Sequence, residues 1–341
     1  MLGPEGWERE NQIMKEVFFF EAFAEEADKL RHYLPFGADV GYTAATIQEY
    51  GLTEPPSRVI SVRTQSVIPA DWISQLDAVL TRSTGYDHLL WIQEAENKLL
   101  RLGHLPVYCA RAVAEQAMLF WMTLLRRLPA QRRAFQSFHR DGLTGREARG
   151  RRLAVIGVGR IGIETVDLGR SLGMEVTGVD LVEKHPTVTY ASAEEALTSA
   201  DIIVAAMNLT ELNNGYFTRK RLGLCARGAI FINVSRGELS PAPLLLDLLT
   251  EGQLGGVGLD VYDGESRLAV ALRSGGNLDE LDDLDEVTRA VIDLNKRDDV
   301  ILTPHNAFNT SEAVDRKSIQ SVEQLRHLKE NGEFLWPVPT R

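Results

Sequence analysis

Three short segments in the second half of the chain each place a chemically active side chain just beyond an apolar run. They are Asn233-Val-Ser-Arg236-Gly-Glu238, Leu259-Asp260-Val-Tyr-Asp-Gly-Glu265 and Leu302-Thr-Pro-His305-Asn-Ala-Phe308. A guanidinium stays charged at any physiological pH, whereas an imidazole exchanges its proton near neutrality. If the apolar runs are strands of a parallel sheet, all three side chains stand at carboxyl ends of strands, where doubly wound sheets bind ligands. An arginine, a carboxylate and an imidazole would then converge on one cleft.

A fourth segment says what else that cleft holds. Gly157-Val-Gly159-Arg160-Ile161-Gly162 matches the GxGxxG pattern, follows the apolar strand 153–157 and opens a helical stretch. The first glycine allows a tight turn, the second lets a pyrophosphate approach the backbone, and the third lets helix and strand pack closely. The helix N-terminus adds unpaired N–H groups and a partial positive charge. Asp180 ends the next strand, where a carboxylate accepts from ribose hydroxyls and repels a 2′-phosphate; NAD is therefore expected over NADP.

The elements that must position these groups are legible as alternating strands and helices, the signature of a parallel α/β sheet. In the first half, Val17 to Phe20, Arg58 to Val62 and Ala78 to Thr81 read as strands, with a helix from about Ala22 to Tyr33. A helix apolar nearly all round is expected from Ala110 to Leu128, then an exposed basic connection to Arg152. Six further strands follow, at 153–157, 175–180, 201–207, 229–235, 256–262 and 300–304, as a Rossmann-type domain requires. Ser192 and Glu195 form a capping-box pattern, and Ser240 before Pro241 reads as an N-cap. A last helix is expected over Ser311 to Asn331. Residues 266 to 298, which carry Gly275-Gly276 and the acidic run Asp279 to Glu286, lack the EF-hand spacing and read as a solvated loop or short surface helices.

Composition narrows the class of protein. The 341 residues suffice for two domains, and 44% apolar with 25% charged residues is ordinary for a globular chain. A formal net charge of −11 argues against nucleic acid or an anionic membrane as a partner. Two distant cysteines, Cys109 and Cys225, make neither a disulfide framework nor a zinc site, so no metal is expected and a cytoplasmic setting is. Residues 1–14 are polar and acidic, without the apolar core of a signal peptide, and read as a loose extension.

Taken with the loop Arg82-Ser-Thr84-Gly85-Tyr-Asp-His88, these motifs resemble the D-isomer-specific 2-hydroxyacid dehydrogenase family, in order and in rough spacing from about residue 15 onward. The resemblance leans towards the lactate-type branch. It implies two Rossmann-like doubly wound domains, the cofactor domain inserted in the substrate domain. The substrate domain would span 15–110, completed by 310–341, with the NAD domain over 111–309. His305 would be the general acid, Glu265 its partner favouring the charged imidazole, and Arg236 the grip on the substrate carboxylate. Amides of Thr84 and Gly85 would hold the other carboxylate oxygen, and Tyr108 matches an active-site tyrosine of lactate-type members. Asn208 and Asp260 fall among the cofactor contacts, although Asn208 stands where the family usually has proline. Arg63, or Gln65, would face the substrate's side chain and suits a polar or anionic one.

The implied reaction is NADH-dependent reduction of a small 2-oxo acid to a D-2-hydroxy acid, by a homodimer joined through the cofactor domains. The helix from Ala110 is its candidate interface. Sister activities share these motifs: glyoxylate or hydroxypyruvate reduction, and phosphoglycerate, phosphite or erythronate-phosphate oxidation. So does a non-catalytic, NAD-sensing corepressor. Formate dehydrogenase carries glutamine where Glu265 stands, and the carboxylate counts against it. His88, beside Asp87, is read as structural.

Overall fold

Strands buried on both faces must be apolar throughout, and parallel neighbours need long crossovers. Both conditions hold best for the central strands of each sheet. The computed structural model describes residues 15–34, 39–95, 100–198, 200–273 and 284–339. The 1–14 extension, Gly275-Gly276 and most of the acidic run lie outside these. The chain divides into two compact units, one of Met1–Tyr108 with Val314–Arg341, the other of Cys109–Ala313.

The first unit is a five-stranded parallel sheet: β1 Val17–Phe19, β2 Val40–Tyr42, β3 Val59–Val62, β4 Ala78–Thr81 and β5 Arg101–Gly103, in the order β2-β1-β3-β4-β5. The three central strands are those legible in sequence. The two edge strands, Val-Gly-Tyr and Arg-Leu-Gly, are short and glycine-bearing, so no apolar run announces them. Strand order reverses between β1 and β3, which makes the carboxyl ends of these two the switch point where such sheets take ligands. The helix Ser311–Asn331 returns to this unit, packing Val322 and Leu325 on a cluster of Val17, Phe19, Ala27 and Leu30.

Beneath that helix lies a fully buried charge cluster. Arg82 Nε donates to Glu26 Oε1 at 2.8 Å, and Lys317 Nζ approaches the same oxygen at 2.9 Å. The remaining guanidinium nitrogens of Arg82 donate to Ser61 Oγ at 2.9 Å and the Phe20 carbonyl at 2.6 Å. Burial opposes the charge on Glu26, but Arg82, Lys317 and Arg63 outweigh it and hold the carboxyl below its ordinary range. For Lys317 the balance goes the other way: burial pushes its ammonium down to about 7 despite Glu26.

The second unit is a six-stranded parallel sheet: β6 Arg152–Ile156, β7 Glu175–Val179, β8 Ile202–Ala205, β9 Ala229–Asn233, β10 Leu254–Leu259 and β11 Val300–Leu302. Their order is β11-β10-β9-β8-β6-β7. The central strands β8 and β9 are buried at every position. All six runs read as strands are strands, with ends up to three residues from the sequence estimate. The chain thus has two Rossmann-like doubly wound parallel-sheet domains.

Three local expectations change. The helix from Ala110 stops at Leu125 because Arg127 turns left-handed (φ 52°), and a second helix, Leu128–Ala134, starts around Pro129 where a loop was expected. Ser240 does not cap the next helix, which begins at Ala242; its buried hydroxyl instead accepts from Asn233 Nδ2 at 2.9 Å. The segment after Glu265 is partly core: Glu286–Asn295 is a helix, capped by Asp285, that buries Ala290, Val291 and Leu294. The Ser192–Glu195 box forms as read, with Glu195 N donating to Ser192 Oγ at 3.2 Å and Ser192 N to Glu195 Oε2 at 3.0 Å.

Lys317 gives the fold a pH signature. Between about pH 7 and the ordinary lysine value of 10.5, the unfolded chain holds a proton that the folded chain lacks. Folded stability from this group is therefore present at high pH and lost as pH falls through about 7. The melting temperature of the wild type, measured against Lys317→Met, is expected to rise from pH 7 to pH 10. Parallel pH curves for the two proteins would contradict this.

Candidate active site

The carboxyl end of β10 carries Asp260, 1% exposed, and its two oxygens organise the segment that follows β11. Oδ1 accepts from the Thr303 hydroxyl at 2.5 Å and from the Asn306 amide at 2.8 Å; Oδ2 accepts from the Ala307 amide at 2.8 Å. Burial pushes this carboxyl upward, against the pull of His305, the Thr303 hydroxyl and the two amides. Within the loop so held, His305 takes a left-handed backbone (φ 50°), which a residue with a Cβ adopts only when its surroundings impose it. Tyr262 adds a second tie, its hydroxyl donating to the Thr303 carbonyl at 2.8 Å.

The turn presents His305 to Glu265, the first residue of the helix Glu265–Arg273. Nδ1 of His305 lies 2.8 Å from both Glu265 oxygens. The carboxylate only accepts, so Nδ1 carries the proton of this contact and Nε2 is the nitrogen left for chemistry. Each side chain is about one-fifth exposed, which leaves the pair reachable by a small molecule.

Arg236 follows β9 in the same unit. The buried Asn233 arranges its turn by donating to the Arg236 carbonyl at 2.8 Å and accepting from the Ser235 amide at 3.0 Å. A Cβ on Gly237 would lie 1.8 Å from the Tyr262 carbonyl carbon. Glycine here lets the Arg236 turn and the Asp260–Glu265 loop touch backbone to backbone. The Arg236 guanidinium donates to the Ser235 carbonyl at 2.8 Å.

The glycine loop lies at the carboxyl end of β6, at the point where strand order reverses between β6 and β8. The helix Arg160–Ser171 starts at Gly159 with no side-chain cap, so Arg160 and Ile161 sit in a first turn whose amides have no capping side chain. A Cβ at Gly162 would lie 2.0 Å from the Gly157 carbonyl oxygen, whereas one at Gly159 meets nothing within 4 Å. The middle glycine is thus required by nothing in the protein itself, as expected where a bound pyrophosphate occupies that space. Asp180 closes β7 beside the loop, its carboxylate accepting from the Val158 amide at 2.7 Å and the Val182 amide at 3.2 Å. These residues fit a dinucleotide. Asn208, beyond β8, offers its carbonyl to Asn213 Nδ2 at 2.7 Å. Asp260 directs its described contacts into the His305 turn.

In the first unit the carboxyl ends of the strands gather Arg63 and Gln65 after β3, Thr84 and Gly85 after β4, and Tyr108 after β5. Glu21, at the end of β1 with φ 54°, shapes the Arg63 loop: it accepts from the amides of Arg63, Gln65 and Ser66 at 2.9, 3.1 and 3.2 Å. The Tyr108 side chain is buried, and its carbonyl accepts from Arg316 Nε at 2.9 Å. His88 Nε2 lies 3.1 Å from Thr81 Oγ1, a contact inside the fold. Sequence reasoning missed Glu21 and Asn233. Each is a polar residue closing an apolar strand, a signal available in the sequence but shared with many ordinary turns.

Residues 118–307 match the family model described as D-isomer specific 2-hydroxyacid dehydrogenase, NAD binding domain. A 2-hydroxyacid dehydrogenase of Aspergillus oryzae is 31% identical over 245 residues, covering 70% of this chain and 67% of its own. An aromatic 2-oxoacid reductase of Clostridium sporogenes is 28% identical, covering 74% and 75%. The crystal structure of a D-lactate dehydrogenase from Aquifex aeolicus, complexed with NAD and lactic acid, superposes with a TM-score of 0.79 at 24% identity, over 94% of this chain and 98% of that one. The chain belongs to the D-isomer-specific 2-hydroxyacid dehydrogenase family: it is an NAD-dependent oxidoreductase. Among the described residues, no helix is long and apolar enough to cross a membrane.

The two glycines separate protein packing from cofactor packing. Gly162→Ala forces backbone atoms apart and is expected to cost about 1–3 kcal/mol of stability along with NADH binding. Gly159→Ala is expected to melt within a few degrees of wild type yet bind NADH at least about tenfold more weakly in a fluorescence titration. Wild-type affinity in Gly159→Ala would contradict the placement of the pyrophosphate.

Proposed function

We propose that this enzyme reduces a small 2-oxo acid to the D-2-hydroxy acid, a D-lactate dehydrogenase-like reaction. The observation that carries the proposal is the His305–Glu265 pair, held at 2.8 Å in a left-handed turn that Asp260 imposes. Bound NADH supplies the hydride. His305 delivers a proton from Nε2 to the substrate's carbonyl oxygen and takes it back in the reverse direction. Glu265 fixes the tautomer and favours the charged imidazole before transfer. Arg236 grips the substrate carboxylate with a permanently charged fork. The amides of Thr84 and Gly85 take the other carboxylate oxygen, and Tyr108 borders the substrate. Gly157, Gly159, Arg160, Ile161 and Gly162 hold the pyrophosphate, Asp180 the ribose, and Asn208 and Asp260 border the cofactor. The domains follow these roles, 15–110 with 310–341 for substrate and 111–309 for NAD.

Arg63 and Gln65 sit at the switch point of the first sheet, on a loop fastened by Glu21, and we assign them to the substrate's side chain. A polar or anionic substituent suits an arginine there. We further propose a cytoplasmic homodimer joined through the NAD domains. Leu119 on the helix from Ala110, and Phe135 and Phe138 after the helix Leu128–Ala134, are each more than half exposed and form apolar surface that a second copy would cover.

The test is NADH oxidation by wild type over a panel from glyoxylate and pyruvate to bulky and dicarboxylic 2-oxo acids, with chiral analysis of the product. D-2-hydroxy acid from at least one member is expected, and Arg63→Ala should lower the dicarboxylate-to-pyruvate ratio of kcat/KM by about tenfold or more. Tight NADH binding with no turnover on any acid would overturn the proposal. An unchanged ratio would remove Arg63 from the side-chain subsite.

A further inference from the structure

The loop Ser83–Tyr86 is braced on one side by the segment that leaves β5. The Leu105 amide donates to the Ser83 carbonyl at 3.0 Å, and the Thr84 hydroxyl to the Leu105 carbonyl at 3.2 Å. His104, between them, places Nδ1 3.1 Å from the Thr84 carbonyl oxygen and sets its ring edge-to-face with Tyr86 at 4.9 Å. The loop also has an internal brace, the Ser83 hydroxyl donating to the Gly85 carbonyl at 2.7 Å.

The Thr84 carbonyl and the Gly85 N–H belong to one peptide plane, and the two point in opposite directions across it. Whatever grips that carbonyl therefore aims that N–H. A hydrogen bond to the carbonyl also polarises the amide and makes its N–H a stronger donor. The carbonyl oxygen only accepts, so the imidazole proton of this contact is on Nδ1. Burial holds His104 below the ordinary histidine range, against the Thr84 contact, and so favours the neutral ring at physiological pH.

We infer that His104 is a positioning residue for substrate binding: its Nδ1–H holds the Thr84 carbonyl and so aims the Gly85 N–H at the substrate carboxylate. The inference rests on the reading that this loop takes the carboxylate. His104 is itself anchored through its backbone, its amide donating to the Trp336 carbonyl at 3.1 Å and its carbonyl accepting from Gln324 Nε2 at 2.6 Å. The ring thus hangs from a fixed frame, and its side chain can be replaced without removing the frame's hydrogen bonds.

Steady-state kinetics of His104→Leu and His104→Asn on the best 2-oxo acid, with NADH affinity and melting temperature measured alongside, test this. Asparagine can return an N–H donor near the place of Nδ1, and leucine cannot. His104→Leu is expected to raise KM for the oxo acid about tenfold with kcat changed far less, NADH affinity kept, and most of the loss restored in His104→Asn. Equal KM increases in both variants with a matching loss of melting temperature would reduce His104 to packing and overturn the inference. Gly85→Pro, which deletes the N–H itself, separates the remaining cases. An unchanged KM in His104→Leu with a raised KM in Gly85→Pro overturns the inference and leaves the loop's role standing. An unchanged KM in both removes the role of the loop as well.

Discussion

The carboxylate of Asp260 is the constraint on which the second unit's chemistry depends. It is nearly inaccessible, and it accepts one hydroxyl and two amide hydrogen bonds from the segment that carries His305. Leaving those two amides without an acceptor would cost about 1–3 kcal/mol each, enough to offset the left-handed backbone of a single non-glycine residue. The imidazole is therefore aimed before any substrate arrives, and Glu265 meets it at the start of a helix, where the helix dipole favours a carboxylate. Under the proposed role of His305 as general acid, such preorganisation leaves no reorganisation to be done in the transition state.

The first unit solves a similar problem with different groups. Glu21 gathers three amides of the Arg63 loop, and Arg82 roots the Ser83–Tyr86 loop in the sheet through Glu26, Ser61 and the Phe20 carbonyl. Buried ion clusters of this kind contribute little net stability compared with apolar packing, but removing one partner leaves an uncompensated buried charge and is strongly destabilising. Lys317 adds a second cation to a carboxylate already paired with Arg82, at a cost that shows in its depressed ammonium.

Much of this was legible in the sequence because the strongest signals are also the physical causes. The six strands of the NAD domain are apolar runs because parallel strands are buried on both faces, and GxGxxG names the positions where a Cβ would collide or intrude. The edge strands Val40–Tyr42 and Arg101–Gly103 were not legible, since a three-residue edge strand needs no apolar run. The break at Arg127 and the rerouting of Ser240 to Asn233 depend on tertiary partners that local preference does not encode. The resemblance puts Asp260 among the cofactor contacts, and no local motif announces that its hydrogen bonds also run to a turn more than forty residues away in sequence.

The most direct test of the account is a single-turnover measurement of NADH oxidation on the preferred 2-oxo acid in wild type, His305→Gln and Glu265→Gln. Removing a general acid typically costs about 10²–10⁴-fold in the chemical step. The account predicts a loss of that size in His305→Gln and a smaller one in Glu265→Gln, both with NADH affinity kept. Hydride transfer within about tenfold of wild type in His305→Gln would contradict it, and would mean that the proton comes from elsewhere.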